Sequence, residues 1–273
     1  MTVLRTALLL FTLCSLLPLY GQGKFQVRYY HEIKGYQAIL YADNEEYTPI
    51  SSQLTLQLIG MKSKLKSGDT VVLSPRTQRQ EITRFNPINK GKTHFHYKTL
   101  SNYGDTRIKH YDSLYIYSLP FTRGASYAVG QGYNGTRTHQ GIHALDFAMP
   151  EKSPVHAARE GRVVFVQDQH TTHCYRPECA KYNNEIIVLH EDGTFAQYTH
   201  LYPHSAVVEK GQYIEKGDLL AKSGNTGYSS GPHLHFGVYL HRISGQKVYL
   251  PTYFETHSKE RTLLEEHKTY RNK

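Results

Sequence analysis

Short runs of β-branched and aromatic residues, each ended by turn residues, most constrain how this chain folds. They begin at Phe25 and recur to about residue 250, and no stretch after residue 120 carries a convincing helical period. Asp192-Gly193 separates two such runs, which is a strong hairpin signal. We therefore predict an all-β fold, with a small sandwich-like β-rich domain over residues 23–117 and an antiparallel β-sheet domain over residues 118–255.

The run from Leu234 to Leu240 contains two histidines with the spacing of one strand face. Residues i and i+2 of a strand point the same way, so His233 and His235 present two imidazoles side by side. Leu234 and Phe236 face the opposite side, towards a core. Two imidazoles on one face of a strand whose other face is buried suit a metal or acid–base site, although a chain with 17 histidines also has ordinary surface pairs. His94 and His96 share the spacing but lack a ligand-like partner, and we interpret them as solvent-facing.

Further candidate ligands precede this strand. His139, His143 and Asp146 lie within eight residues, and His200 ends the second strand of the predicted hairpin. Catalytic zinc usually takes three protein ligands from His, Asp, Glu or Cys and keeps one position open for water. The histidines that do not bind metal could then transfer protons or hydrogen-bond the reacting groups.

Residues 118–255 resemble the lysostaphin/LytM-type zinc endopeptidases, which cut peptides of bacterial peptidoglycan as DD- or glycyl-endopeptidases. The resemblance rests on His139 to Asp146 with the following Phe-Ala-Met-Pro, on Tyr198-Thr-His200-Leu, and on the specific block 223–236 with Gly-Pro-His-Leu-His-Phe. It implies His139, Asp146 and His235 as ligands of one Zn²⁺ per chain. It also implies His200 and His233 as the catalytic histidines, without deciding which is the base.

The first ligand departs from the common family pattern. That pattern places three residues between the first His and the Asp, whereas six separate His139 from Asp146 and two separate His143 from it. We favour His139, and His143 remains the alternative.

Residues 1–22 have the features of a secretory signal peptide: one positive charge at Arg5, a short apolar run and a small residue at Gly21. We therefore expect an exported protein, periplasmic or secreted and wall-associated, with no stable membrane span after cleavage. In an oxidising compartment Cys174 and Cys179 favour a short disulfide over a second zinc site formed with His170 and His173. The charged residues 256–273 are expected to form a solvated tail.

The sequence thus predicts an exported zinc metalloendopeptidase that hydrolyses peptide bonds of peptidoglycan. Its net charge of +9 suits anionic wall polymers, and no recognised nucleic-acid motif accompanies that charge. One alternative is a non-catalytic wall-binding or amidase-activating relative, which the complete set of site residues disfavours. Another is a secreted peptidase of glycine-rich proteins. The bond cut, the role of residues 23–117 and the oligomeric state stay open.

Overall fold

The computed structural model describes residues 25–273, and the predicted signal peptide lies outside the described residues. In the described part the regular structure is almost entirely β, which confirms the predicted fold class. Strands of the first half are β1 Val27–Lys34, β2 Gln37–Asn44, β3 Ile50–Ile59, β4 Met61–Lys62, β5 Thr70–Leu73, β6 Thr77–Pro87 and β7 His94–Tyr103.

The first half is a sandwich of two antiparallel sheets, in the orders β1-β2-β6-β4 and β5-β3-β7. Apolar residues of alternate strand positions fill the space between the sheets, among them Leu40, Leu54 and Phe85, all fully buried. His94 and His96 are exposed on β7, as expected for a solvent-facing pair.

The second half contains the remaining strands and one short 3₁₀ helix. The strands are β8 Ile116–Tyr117, β9 Ser126–Gln131, β10 Ala144–Phe147, β11 Pro154–His156, β12 Gly161–Gln167, β13 His173–Cys174, β14 Glu185–Leu189, β15 Phe195–Thr199, β16 Tyr213–Ile214, β17 Leu219–Lys222, β18 Gly227–Tyr228, β19 Leu234–His241, β20 Lys247–Leu250, β21 Tyr253–Phe254 and β22 Thr269–Arg271. The 3₁₀ helix is Pro177–Tyr182.

A large sheet in the order β16-β12-β14-β15-β19-β10-β9-β22 organises this half, with β20 also paired to β19. The β14–β15 hairpin turns at Asp192-Gly193 as predicted. Leu145, Phe147, Leu234 and Phe236 are buried in the main core beneath the sheet. The intervening residues of β10 and β19 therefore face the other side, where a site can be built on a rigid support.

The chain end does not form the solvated tail that we expected. β22 pairs with β9 and completes the edge of the large sheet. Leu264 packs into the core and Asn272 is buried with its side-chain amide donating to the carbonyl oxygens of Leu119 and Phe121. A few apolar and amide groups are enough to hold this segment, although 8 of its 18 residues are charged.

The sandwich meets the second half at only one of its two ends. Lys210 Nζ lies 2.6 Å from Glu46 Oε2, and Asn102 Nδ2 donates to the carbonyl of Arg242 over 2.7 Å. Gly211 lies against the ring of Tyr47, where a Cβ would come within 2.5 Å of it. The opposite end of the sandwich therefore points away from the large sheet.

Within residues 25–273, none of the helical segments has the length and apolarity needed to cross a bilayer.

Candidate active site

Asp146 and His235 are brought together by strand register. β10 pairs with β19 so that Asp146 lies directly opposite His235, although 89 residues separate them in the chain. His139 enters from the loop between β9 and β10 and is buried. Its ring Nδ1–H donates to the carbonyl of Gly132 over 3.1 Å, which directs Nε2 at the other two residues.

The three side chains present a compact set of ligand atoms. His139 Nε2 lies 3.2 Å from Asp146 Oδ1 and 3.3 Å from His235 Nδ1, and His235 Nδ1 lies 2.9 Å from Asp146 Oδ1. A tetrahedral zinc ion with bonds of about 2.0–2.1 Å separates its ligands by about 3.3–3.4 Å. Two imidazole nitrogens and one carboxylate oxygen at these distances fit zinc in both size and chemistry.

The electrostatics of the cluster keep the carboxylate ionised. Burial acts to raise the pKa of Asp146, but hydrogen bonds with His139 and His235 outweigh burial and hold that pKa well below its usual value. Burial also lowers the pKa of His235 and so favours its neutral form. An ionised carboxylate beside a neutral imidazole is the protonation state that metal coordination requires.

His143 does not join this cluster. Its Nδ1–H donates to the carbonyl of Tyr249 over 3.1 Å, and its ring packs edge-on against Tyr133. Between the two histidines considered for the first ligand position, the structure therefore brings His139 to Asp146 and holds His143 elsewhere.

His200 and His233 lie beside the three ligand atoms, with ring centroids 4.5 Å apart. His200 donates from Nδ1 to the carbonyl of Thr226 over 2.7 Å, and His233 donates from Nδ1 to the carbonyl of Gly231 over 2.8 Å. In the neutral rings Nε2 is therefore the unprotonated atom, and His233 Nε2 lies 3.8 Å from Asp146 Oδ1. Burial, aided by the neighbouring His233 and His235, lowers the pKa of His200 to about 3.

Gln131 is a site residue that the sequence analysis missed. Its Nε2 donates to Asp146 Oδ2 over 2.9 Å, on the carboxylate oxygen that faces away from the histidines. Its Oε1 accepts from the backbone N–H groups of Arg137 and Thr138, which fixes the orientation of the amide. Gly135 lies against this side chain, where a Cβ would approach Gln131 to 2.5 Å. The sequence around Gln131 is rich in glycine, which marks residues 130–135 as an unusual loop, but no spacing rule links this loop to Asp146.

A cavity of about 390 Å³ opens above the five histidine and aspartate side chains. One wall is the insert closed by the Cys174–Cys179 disulfide, which confirms the predicted pairing over a second metal site. β13 of this insert pairs in parallel with β18, and the ring of Tyr175 lies 5.5 Å from that of Tyr228. The insert is thus attached to the loop that leads into His233, so it shapes access to the site.

Comparison with known proteins agrees with this geometry. Residues 137–249 match peptidase family M23. The matched residues, 113 of the 273, all lie in the second half of the chain, which we refer to below as the M23 domain. The family is zinc-dependent, and the His–Asp–His cluster described above lies inside the matched region.

Among proteins similar to this chain, the peptidoglycan DD-endopeptidase ShyA of Vibrio cholerae is 28% identical over 203 residues, covering 68% of this chain and 44% of ShyA. The DD-carboxypeptidase/endopeptidase Mpg of Neisseria meningitidis is 33% identical over 112 residues, covering 41% and 22%. A zinc-containing peptidase from Vibrio cholerae superposes with a TM-score of 0.35 at 20% identity, covering 78% of this chain and 55% of that one. The aligned part of this chain spans less than half the length of ShyA and Mpg.

Proposed function

We propose that this protein is an exported zinc metalloendopeptidase that hydrolyses peptide bonds in the stem peptides or crosslinks of peptidoglycan. The observation that carries the proposal is the set of three ligand atoms 2.9–3.3 Å apart, from His139, Asp146 and His235, beside the imidazoles of His200 and His233. The M23 match and the peptidoglycan endopeptidases among the relatives support the substrate class.

We assign His139 Nε2, Asp146 Oδ1 and His235 Nδ1 as the atoms that would hold one Zn²⁺. When bound, zinc supplies Lewis-acid polarisation of the scissile carbonyl and lowers the pKa of a water ligand. The chain fixes the directions of two ligands before metal arrives: Gly132 sets the tautomer of His139, and Gln131 holds the far oxygen of Asp146. Asp146 is committed to this role and is not a free base.

His200 and His233 are assigned to proton transfer. Burial depresses the pKa of His200 and keeps it neutral, and its Nδ1–H donates to the carbonyl of Thr226, so Nε2 is the atom left for proton transfer. His233 carries its Nδ1 proton towards Gly231 and likewise keeps Nε2 for the reaction. The pair can take the proton that leaves the attacking water and return it to the leaving amine. Both can also hydrogen-bond the oxygen on which negative charge develops.

The test measures metal and hydrolysis in the same preparations of residues 23–273. Wild-type protein should hold about one zinc per chain and release new amino groups from purified peptidoglycan. His233→Ala should keep zinc and lose release, whereas Asp146→Ala should lose both. His143→Ala, outside the ligand cluster, should keep both. Bound zinc without release of amino groups from any wall preparation would contradict the proposed substrate. Loss of zinc in His143→Ala but not in His139→Ala would contradict the ligand assignment.

A further inference from the structure

The end of the sandwich that points away from the M23 domain is built from three turns, which we name the tip: residues 33–37, 59–65 and 88–93. Strand register places them together, because Lys34 pairs with Gln37, Ile59 with His94 and Met61 with Pro87. The N–H of Ile88 donates to the carbonyl of Gly60 over 2.9 Å. A Cβ on Gly60 would come within 2.4 Å of the carbonyl oxygen of Lys92, so two of the turns are closely packed.

The tip exposes several large apolar side chains to water. Tyr36 is 91% exposed, Ile33 63%, Ile88 62% and Ile59 57%. Single exposed apolar residues are ordinary, but four of them on one end of a small domain mark an interaction surface. A cavity of about 2190 Å³ between the edges of the two sheets opens onto three of these residues, Ile33, Tyr36 and Ile88, and continues this apolar surface inwards.

The charge of the tip has one sign. Its three turns carry five exposed lysines and no carboxylate; they are Lys34, Lys62, Lys64, Lys90 and Lys92. The carboxylate next along β1 is Glu32, which forms an ion pair with Arg79 on β6 of the same sheet and lies 4.0 Å from Lys34 Nζ. The tip therefore combines exposed apolar side chains with an excess of positive charge.

We propose that the tip binds the surface of an anionic lipid bilayer. The isoleucines and Tyr36 would enter the interface between head groups and acyl chains, where apolar and tyrosine side chains are favoured. The lysines would lie against the lipid phosphates, each strengthening binding by a factor of about five near an anionic surface. An anionic polysaccharide would satisfy the lysines but would leave the isoleucines in water, so a lipid surface accounts for both features.

The length of the sandwich sets how far from a bound bilayer the M23 domain would lie. β3 runs ten residues from the M23 contact region to the tip, which is about 33 Å at the rise of a strand. Docking by the tip would therefore hold the M23 domain on the far side of the sandwich from the lipid. The inference concerns binding alone and does not depend on zinc or hydrolysis.

The experiment is vesicle co-sedimentation with residues 23–273, so that the apolar run of the predicted leader cannot itself bind lipid. Vesicles of phosphatidylcholine with one quarter phosphatidylglycerol are compared with pure phosphatidylcholine. Two tip variants are used: Tyr36→Ser with Ile88→Ser, and Lys90→Glu with Lys92→Glu. Their controls, at exposed positions away from the tip, are Val207→Ser and Lys109→Glu with Lys259→Glu.

We expect the wild type and both controls to bind the phosphatidylglycerol vesicles and to bind pure phosphatidylcholine more weakly. The charge variant of the tip should partition at least about tenfold less, because each lysine near the surface is worth about fivefold. The apolar variant should partition at least about tenfold less because it removes two of the apolar side chains that enter the interface. Equal losses in the controls, or no binding of the wild type to anionic vesicles, would overturn the proposal. Tip-dependent binding to purified peptidoglycan with no binding to vesicles would also overturn it, in favour of a wall polymer.

Discussion

Acidification should destabilise the fold through one buried imidazole outside the proposed active site. His190 is fully enclosed beside Arg159, and its Nδ1–H donates to the carbonyl of Glu160 over 2.7 Å. Its Nε2 has no hydrogen-bond partner among residues 25–273. Burial first, and then the charge of Arg159, lowers the pKa of His190 to about 4 from an ordinary value of about 6.5.

The sign and size of the effect follow from these two pKa values. Between about pH 6.5 and pH 4 the unfolded chain binds a proton at this residue and the folded chain does not, so the free energy of unfolding falls as the pH falls. The difference of about 2.5 pH units corresponds to about 3 kcal/mol, at about 1.4 kcal/mol per unit. That stability is fully present above pH 6.5 and is lost progressively down to pH 4.

Urea denaturation between pH 7 and pH 4.5 measures this fall in the free energy of unfolding, with His190→Asn as the variant that cannot titrate at this position. The asparagine amide can still donate to the carbonyl of Glu160, so the variant keeps a polar contact while losing the proton-binding site. The wild type should lose about 2–3 kcal/mol more than the variant across this range. Both proteins are compared with a chelator present, so that metal loss at low pH is the same in each. Parallel pH curves would refute the argument, because they would show that His190 binds its proton equally well in the folded state.

Three further predictions concern the site and its walls. Gln131→Leu should weaken zinc binding by about 10–100-fold, measured by chelator competition, because the far oxygen of the aspartate ligand loses its donor; unchanged affinity would contradict this positioning role. Gly227→Ala should cost more than about 2 kcal/mol in urea denaturation, because φ is +77° there and a Cβ would lie 1.8 Å from Asn183 Oδ1. Gly231→Ala, with open space around it, is the matched control and should change stability by less than about 0.5 kcal/mol. Opening the Cys174–Cys179 disulfide with a reductant should raise KM for wall fragments more than it lowers kcat, because the insert lines the cavity and carries none of the five proposed site residues; an equal fall in zinc content would contradict that separation.

Much of the fold was predictable because single strands and hairpin turns are marked by residues close together in the sequence. The Asp192-Gly193 turn fixed a hairpin, and the alternation of Leu234, His235 and Phe236 fixed which side chains face the core. The choice of His139 over His143 needed the fold, because only the pairing of β9 with β10 shows which histidine reaches Asp146.

Other features depend on contacts that no spacing encodes. Gln131 reaches Asp146 across a strand pair and is oriented by backbone N–H groups of a loop. β22 joins the sheet edge through backbone hydrogen bonds, which a charged sequence neither favours nor forbids. The gathering of Tyr36, Ile59 and Ile88 at one end of the sandwich arises from three turns far apart in sequence.

The opposition of Asp146 and His235 across β10 and β19 also bears on when the protein becomes active. Side chains alternate along a strand, so a slip of one residue would turn His235 into the core and bring Leu234 to the surface. The centre can therefore assemble only after two strands from distant parts of the chain have found one register. An unfolded chain carries every residue of the site but no hydrolytic centre. Folding therefore acts as the chain's own safeguard against premature cleavage.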